Sequence, residues 1–133
     1  MTLGACVASP ILWTLEAGVT CVCDWVCDDQ PFLLNAKNGR LISVPYSMHI
    51  NDIAMILEQG LLGEAFGRAI CDQFDVLYRE GASIPRTMAI AVHPFLVGIP
   101  HLSKHFDRAL EYIARHKDVW FCTGDDIANW YET

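Results

Sequence analysis

His93 is the side chain in this sequence best suited to chemistry, because it ends an apolar run and is followed by a proline. Residues Thr87 to Val92 are apolar without alternation, which predicts a strand buried on both faces. An imidazole at the end of such a strand could act, near neutral pH, as a general acid toward a leaving nitrogen. A core histidine that bonds a backbone carbonyl is the alternative, and its position alone leaves both interpretations open.

Two further polar segments follow predicted strands. Asp28 and Asp29 come after the strand predicted for Val19 to Val26. Paired carboxylates could hold a base, an arginine or a metal, but Asp is also common in turns, where it caps backbone amides. After the strand predicted for Leu41 to Val44 come Tyr46, His49, Asn51 and Asp52. Because α/β folds usually place chemistry at the carboxyl ends of parallel strands, both segments are candidates for a site.

Two other patterns could suggest a metal site. His101 and His105 lie four residues apart on a predicted helix, which puts both on one face, but no third ligand of the right type is close in sequence. Cys21, Cys23 and Cys27 lack the paired Cys-x-x-Cys spacing of a zinc site. We expect the cysteines, which also include Cys6, Cys71 and Cys122, to be inert, buried thiols. A cysteine-based metal-binding module is the least favoured hypothesis.

The elements that would position these residues alternate between strand and helix along the chain. Apolar stripes at helical spacing predict two long helices, Glu64 to Glu80 and Leu102 to His116. Shorter elements are predicted at Pro10 to Ala17 (helix), at Asp118 to Cys122 (strand) and after Thr123 (helix). Tyr46 to Gly63 is predicted to be irregular or to contain a short helix near Asp52 to Glu58. Asn35 to Arg40 is predicted to be a turn. This alternation predicts parallel strand pairing and an α/β layer architecture.

Composition narrows the class of protein. With 133 residues the chain is long enough for one domain and too short for two. A net charge of −7, with scattered Lys and Arg, argues against nucleic acid and anionic membranes as partners. Met1 to Pro31 has no Lys or Arg, so the charged start of a secretory signal is missing. Without a bilayer-length apolar run either, we expect a cytoplasmic location.

Six segments follow one another in a distinctive order. They are CDWVCDDQPF (Cys23 to Phe32), LISVPYSMHINDI (Leu41 to Ile53), QFDVLYREG (Gln73 to Gly81), PRTMAIAVHPFLVGIP (Pro85 to Pro100), HFDRALEYI (His105 to Ile113) and VWFCTGDDIANWY (Val119 to Tyr131). This order resembles the polysaccharide deacetylase family. Within it, the chain looks closest to the branch of peptidoglycan-deacetylase-like proteins and allantoinases. The match covers about Leu15 to Tyr131 and corresponds to the C-terminal half of the family's domain.

The resemblance implies an α/β fold that is the C-terminal portion of a distorted (β/α) barrel. It implies hydrolysis of an amide or a cyclic ureide, helped by a zinc-like divalent metal that an Asp and two His from the N-terminal half would hold. By its place in AVHPF, His93 matches the late histidine that protonates the leaving nitrogen. Asp28 and Asp29 match an acidic stretch that lines the pocket and orients catalytic partners. Substrate contacts are expected from Tyr46, Asn51, Asp52 and Pro94.

The departures from the family pattern matter as much. The Asp-Asp motif after the first barrel strand is absent, and so is the metal-binding His pair, so residues 1–133 make only a partial domain with no metal ligands or cofactor of its own. The two histidines of HLSKH, His101 and His105, come after His93 in the sequence, whereas the family's metal-binding pair is expected before it. We expect a chain that is weak or inactive alone and that acts on a small-molecule or sugar substrate once complete. The alternative is a truncated, non-catalytic module that binds a ligand or partner.

Either reading has a consequence for assembly. A half barrel leaves open sheet edges and apolar faces uncovered, which is costly in water. We therefore expect a homo-oligomer, or pairing with the missing N-terminal half.

Overall fold

The structure is a computed structural model that describes residues 18–36 and 39–133. The helix predicted for Pro10 to Ala17 and the thiol of Cys6 lie outside the described residues.

The N-terminal part of the described chain forms a small mixed sheet. Its strands are β1 (Cys21–Val22), β2 (Phe32–Ala36) and β3 (Gly39–Ser43), in the order β1-β3-β2. β1 pairs with β3 in parallel, as the alternation predicted. β2 and β3 pair antiparallel with Asn35 opposite Arg40 and Ala36 opposite Gly39. Four of the six residues predicted as a turn therefore lie in strands, and the strand β2 was not predicted. The central strand β3 is buried from residue 41 onward.

The remaining elements are helices joined by extended chain. They are a π-helix (Ile53–Glu58), α1 (Gly63–Gly81), α2 (Pro94–Val97), α3 (Pro100–Ala114) and α4 (Gly124–Glu132). Both long helices were predicted within two residues, because an apolar stripe specifies a helix strongly. No described helix combines the length and apolarity needed to span a bilayer.

Helices α1 and α3 pack against each other and form the main core. The buried stripe of α1 consists of Phe66, Ile70, Phe74 and Leu77. α3 supplies Leu102, Ala109 and Ile113. The helices approach closely at Gly63 and Gly67, where an added Cβ would lie 2.9 Å from Leu102 Cδ2 and 2.8 Å from the His105 carbonyl oxygen. His105 is therefore part of the helix contact, and this packing fixes the C-terminal half as one unit.

Three strand predictions need correction. Val19 to Val26 forms a strand only at β1. Thr87 to Val92 is extended but makes just one isolated bridge, between Ala91 and Asn51. Asp118 to Cys122 begins in a turn, where Asp118 has a φ of 60°, and the segment lies outside the described sheet. A strand needs a neighbour's donors and acceptors along its length, and these segments lack such neighbours among the described residues. The described sheet is open rather than a barrel.

An apolar groove of about 670 Å³ opens beside the last of these segments. Its wall includes Trp120, Phe121 and Trp130, which are 59%, 60% and 51% exposed. Three aromatic side chains this exposed on one surface are unusual for a protein that has no partner there.

Candidate active site

His93 is held through its backbone by two hydrogen bonds at the start of α2. It is the residue before the helix, and its carbonyl oxygen accepts hydrogen bonds from Leu96 N at 2.9 Å and Val97 N at 3.0 Å. Pro94 occupies the first helical position, where its missing N–H costs nothing. Leu96 and Val97 are buried beneath the turn. The local sequence HPFLV therefore fixes the backbone from which the imidazole projects.

Asp52 lies behind His93 and bonds it twice. Its Oδ2 accepts the His93 backbone N–H at 2.7 Å, and its Oδ1 lies 2.7 Å from His93 Nδ1. The Asp52 side chain is fully buried, whereas that of His93 is 37% exposed. Because a carboxylate accepts hydrogen bonds, Nδ1 carries the proton in this arrangement and Nε2 is the nitrogen left for a substrate.

The register between two chain segments brings this pair together. Asn51 and Ala91 form a parallel bridge, in which Ala91 N donates to the Ile50 carbonyl at 2.9 Å and Asp52 N donates to the Ala91 carbonyl at 3.1 Å. This pairing sets Asp52 beside His93, although the two residues are far apart in sequence.

Asn51 organises the turn that holds Asp52. Its Oδ1 accepts from Ile53 N at 2.9 Å and Ala54 N at 3.3 Å, which satisfies two free N–H groups at the start of the π-helix. Its Nδ2 donates to the Tyr46 hydroxyl at 3.1 Å. Sequence analysis expected Asn51 and Asp52 to contact substrate. The structure places both below the surface, at 7% and 0% exposure, where they support His93.

A polar cavity of about 320 Å³ gathers the other predicted residues. Asp28, Asp29 and Tyr46 line it, together with His49, Gln73 and Thr87. Asp28 Oδ1 accepts the Asp29 backbone N–H at 2.7 Å, as in the turn interpretation. The Asp29 carbonyl accepts from Thr87 N at 2.7 Å, which ties this loop to the segment that leads to His93.

His93 and Pro94 do not line this cavity. The structure thus places the predicted residues in two groups, the cavity and the His93–Asp52 pair. The hydrogen bond between Tyr46 and Asn51 connects the two groups.

Comparison with known proteins decides the family. No family model matches the chain. A Schizosaccharomyces pombe protein assigned as a polysaccharide deacetylase is 32% identical over 107 residues, which is 78% of this chain and 33% of that protein. The crystal structure of Puue allantoinase superimposes with a TM-score of 0.86 at 35% identity, covering 94% of this chain and 43% of the allantoinase. The chain belongs to the polysaccharide deacetylase family.

Other family structures agree. A Pseudomonas aeruginosa PAO1 protein assigned as a polysaccharide deacetylase has a TM-score of 0.85 at 33% identity over 93% of this chain and 43% of its own. A Mycobacterium smegmatis structure, with a TM-score of 0.80 at 20% identity over 93% of this chain, shows the same fold. This family member spans about a third of the curated relative and less than half of the solved structures.

The metal that the resemblance implies does not fit the described part of this family member. Within residues 18–36 and 39–133, no group of three or more His, Cys, Asp or Glu side chains is placed to hold an ion. His101 is exposed on α3, and His105 packs against α1.

The cysteines correct the expectation of buried thiols. Cys23, Cys27 and Cys122 are exposed, and Cys21 is half-buried. The physical reason is that β1 ends at Val22, so Cys23 and Cys27 follow outside the sheet. Burial raises the pKa of the Cys21 thiol to about 11, with a further contribution from its hydrogen bond to Asp125. A protonated Cys21 thiol is a weak nucleophile and a weak metal ligand at neutral pH.

Sequence reasoning missed how this family member supports its histidine. An Asn-Asp pair directly before a helical segment is a signal for helix capping, and Asn51 does bond the π-helix amides. The contact between Asp52 and His93 leaves no signal in the local sequence, because residues 41 positions apart form it.

Proposed function

We propose that this chain supplies the proton-donating half of a hydrolase that cleaves a non-peptide carbon–nitrogen bond. The bond would be the amide of an N-acetyl sugar or a ring bond of a cyclic ureide. The observation that carries the proposal is the His93–Asp52 pair, in which a buried carboxylate holds a partly exposed imidazole at two points.

In this reaction water adds to the carbonyl carbon, the carbon–nitrogen bond breaks, and the nitrogen leaves with a proton from His93. A leaving nitrogen needs that proton, because an amide anion is a very poor leaving group. Asp52 fixes the plane of the ring through the Nδ1 proton, which it keeps. The proton that passes to the nitrogen is a second one, carried on Nε2 by the imidazolium form of His93, and its loss leaves the neutral ring bonded to Asp52. Asp52 is thus a positioning residue, and His93 is the group that meets the substrate.

The cavity lined by Tyr46 is suited to binding the part of the substrate that lies away from His93. Its carboxylates, Asp28 and Asp29, are acceptors for hydroxyl and N–H groups, which sugars and ureides both carry. Pro94 is exposed next to His93, whereas Leu96 and Val97 of the same turn are buried. We assign Asp28, Asp29 and Tyr46 to the outer part of the substrate site.

The group that activates water would come from the rest of a complete enzyme. In the family that the sequence resembles, a divalent metal and an aspartate base are expected to activate the water. The described residues contain no group of three or more side chains placed to hold such a metal. This chain is therefore expected to be weak or inactive alone and to work with an N-terminal half, carried by another chain or by a longer form of this one.

A complementation assay tests the proposal. The full chain is mixed with the segment of Puue allantoinase that it does not match, with zinc present, and release of product from allantoin and from N-acetylglucosamine oligomers is measured. We expect turnover only in the mixture, and a loss of at least about a hundredfold on His93→Gln, the scale of a lost general acid.

The matched control is His101→Gln, which changes an exposed histidine on α3 and should leave turnover unchanged. Turnover that survives His93→Gln would contradict the role of His93. An inactive mixture, in which the two parts are shown to associate, would contradict the enzymatic proposal itself.

A second candidate function is a non-catalytic, oligomeric binding module. The apolar groove favours it, because Trp120, Phe121 and Trp130 are more than half exposed and their burial would stabilise an interface. This candidate predicts stable self-association and no turnover with any added segment.

A further inference from the structure

We propose that Phe95 is a specificity-determining residue that packs against the flat face of a substrate ring while the ring's amide nitrogen meets His93. The inference rests on the proposed function and adds a residue to that site.

Phe95 is exposed although its neighbours in α2 are anchored. Its exposure is 66%, whereas the next two residues, Leu96 and Val97, are 5% and 7% exposed. An added Cβ at Gly98 would lie 2.3 Å from the Pro94 carbonyl oxygen, so the turn that ends α2 is also tightly constrained. The Phe95 ring is therefore presented by a fixed backbone.

The position of the ring relates it to the reacting group. The centroids of the Phe95 and His93 rings are 5.5 Å apart, and the ring planes are inclined at 53°. Phe95 does not line the apolar groove, so it is not explained by that surface. Because Asp52 holds the imidazole at Nδ1, a ligand would meet the ring at Nε2, and an aromatic side chain whose centroid is 5.5 Å away is near enough to contact the same ligand.

The chemistry of an exposed aromatic ring selects a class of ligand. Binding is stabilised when the face of the ring packs against a flat apolar surface, such as the C–H face of a pyranose or the face of a planar ureide ring. Linear amides lack such a face. Phe95 therefore favours cyclic substrates whose reacting nitrogen lies at the ring edge.

Ligand titration by nuclear magnetic resonance tests the proposal on the full chain. The His93 ring nitrogens and the Phe95 ring carbons are followed as allantoin is added in one arm and di-N-acetylchitobiose in the other. We expect the preferred ring compound to shift both residues. Phe95→Ala should raise the dissociation constant of this compound about five- to tenfold, and Phe95→Tyr should leave the dissociation constant unchanged.

Phe121→Ala is the matched control, because Phe121 is 60% exposed at a different surface and should leave the dissociation constant unchanged. If His93 shifts with equal affinity in wild type and Phe95→Ala, the role of Phe95 is overturned and the proposed function stands. If neither compound shifts His93 in the wild-type chain, both are overturned.

Discussion

The carboxylate of Asp52 holds His93 at two points, through the backbone nitrogen and through Nδ1, each at 2.7 Å. One carboxylate thereby fixes both the main chain and the ring of the same histidine. Since Asp52 is fully buried, this arrangement does not depend on a substrate to form it.

Asp52→Asn should change which ring nitrogen of His93 carries the proton. An amide has one acceptor oxygen, so when that oxygen keeps the backbone N–H, the amide NH₂ faces Nδ1 and requires an acceptor there. We expect the proton to move to Nε2 and the free energy of unfolding to fall by about 2–3 kcal/mol, as for a lost charge-assisted hydrogen bond. Long-range ¹H–¹⁵N correlations report the tautomer, and urea denaturation reports the stability.

Asp107→Asn is the control for that experiment, because Asp107 is exposed on α3. An unchanged His93 tautomer in Asp52→Asn would show that the carboxylate does not set it.

Asn51→Ala should loosen the π-helix that follows Asp52. The substitution removes the acceptor of two backbone N–H groups, Ile53 and Ala54, and we expect a loss of about 1–2 kcal/mol. Amide hydrogen exchange at these two positions should accelerate. Tyr46→Phe removes only the partner of Asn51 Nδ2 and should cost under about 1 kcal/mol, so an equal effect of the two variants would contradict the capping role.

Helix α4 should lose its N-terminal cap in acid. Hydrogen bonds from the Thr123 backbone and hydroxyl lower the pKa of Asp126 below its ordinary value of 3.8. Since the folded-state pKa is depressed, the cap stabilises the helix above that ordinary value and is lost as the pH falls through the lowered pKa. The ¹³Cα shifts of α4 should follow this transition.

Asp126→Asn should make the ¹³Cα shifts of α4 independent of pH in that range, while Asp125→Asn keeps the pH dependence. A transition that persists in Asp126→Asn would assign it to another group.

The exposed aromatic residues of the groove should drive self-association. We expect an oligomer by light scattering at micromolar concentration, and a monomer when Trp120 and Phe121 are both changed to Glu, because charges would be buried in the interface. Leu62→Glu is the control, since Leu62 is 77% exposed outside the groove. A wild-type chain that is monomeric at this concentration would contradict the prediction.

Replacing Cys21 and Cys23 together by Ala should leave the fold intact. Cys21 is half-buried and Cys23 is exposed, so we expect each truncation to cost no more than about 1–2 kcal/mol, whereas the loss of a structural metal site would unfold the domain. Because the pKa of Cys21 is raised to about 11, we also expect its alkylation at mildly alkaline pH to be slow. A cooperative loss of helical signal in the double variant would revive the cysteine-based metal hypothesis.

The sequence by itself determined the long helices, the strand β3, the cap at Thr123 and the position of His93 directly before a proline, but not the short helix α2 that starts there. These features depend on local spacing, since an apolar stripe or a capping residue acts within a turn or two of the chain. The resemblance to the family also lay in short motifs that could be identified without coordinates.

Only the tertiary structure decided which residues meet. It paired Asp52 with His93 across 41 positions, placed Asn51 under the site, and set Phe95 beside the imidazole. It also showed that residues 87–92 and 118–122 do not become regular strands, although their composition favours strands. The reason is that a strand, or a buried carboxylate, is stabilised by a partner distant in sequence, and local residue pattern does not specify that partner.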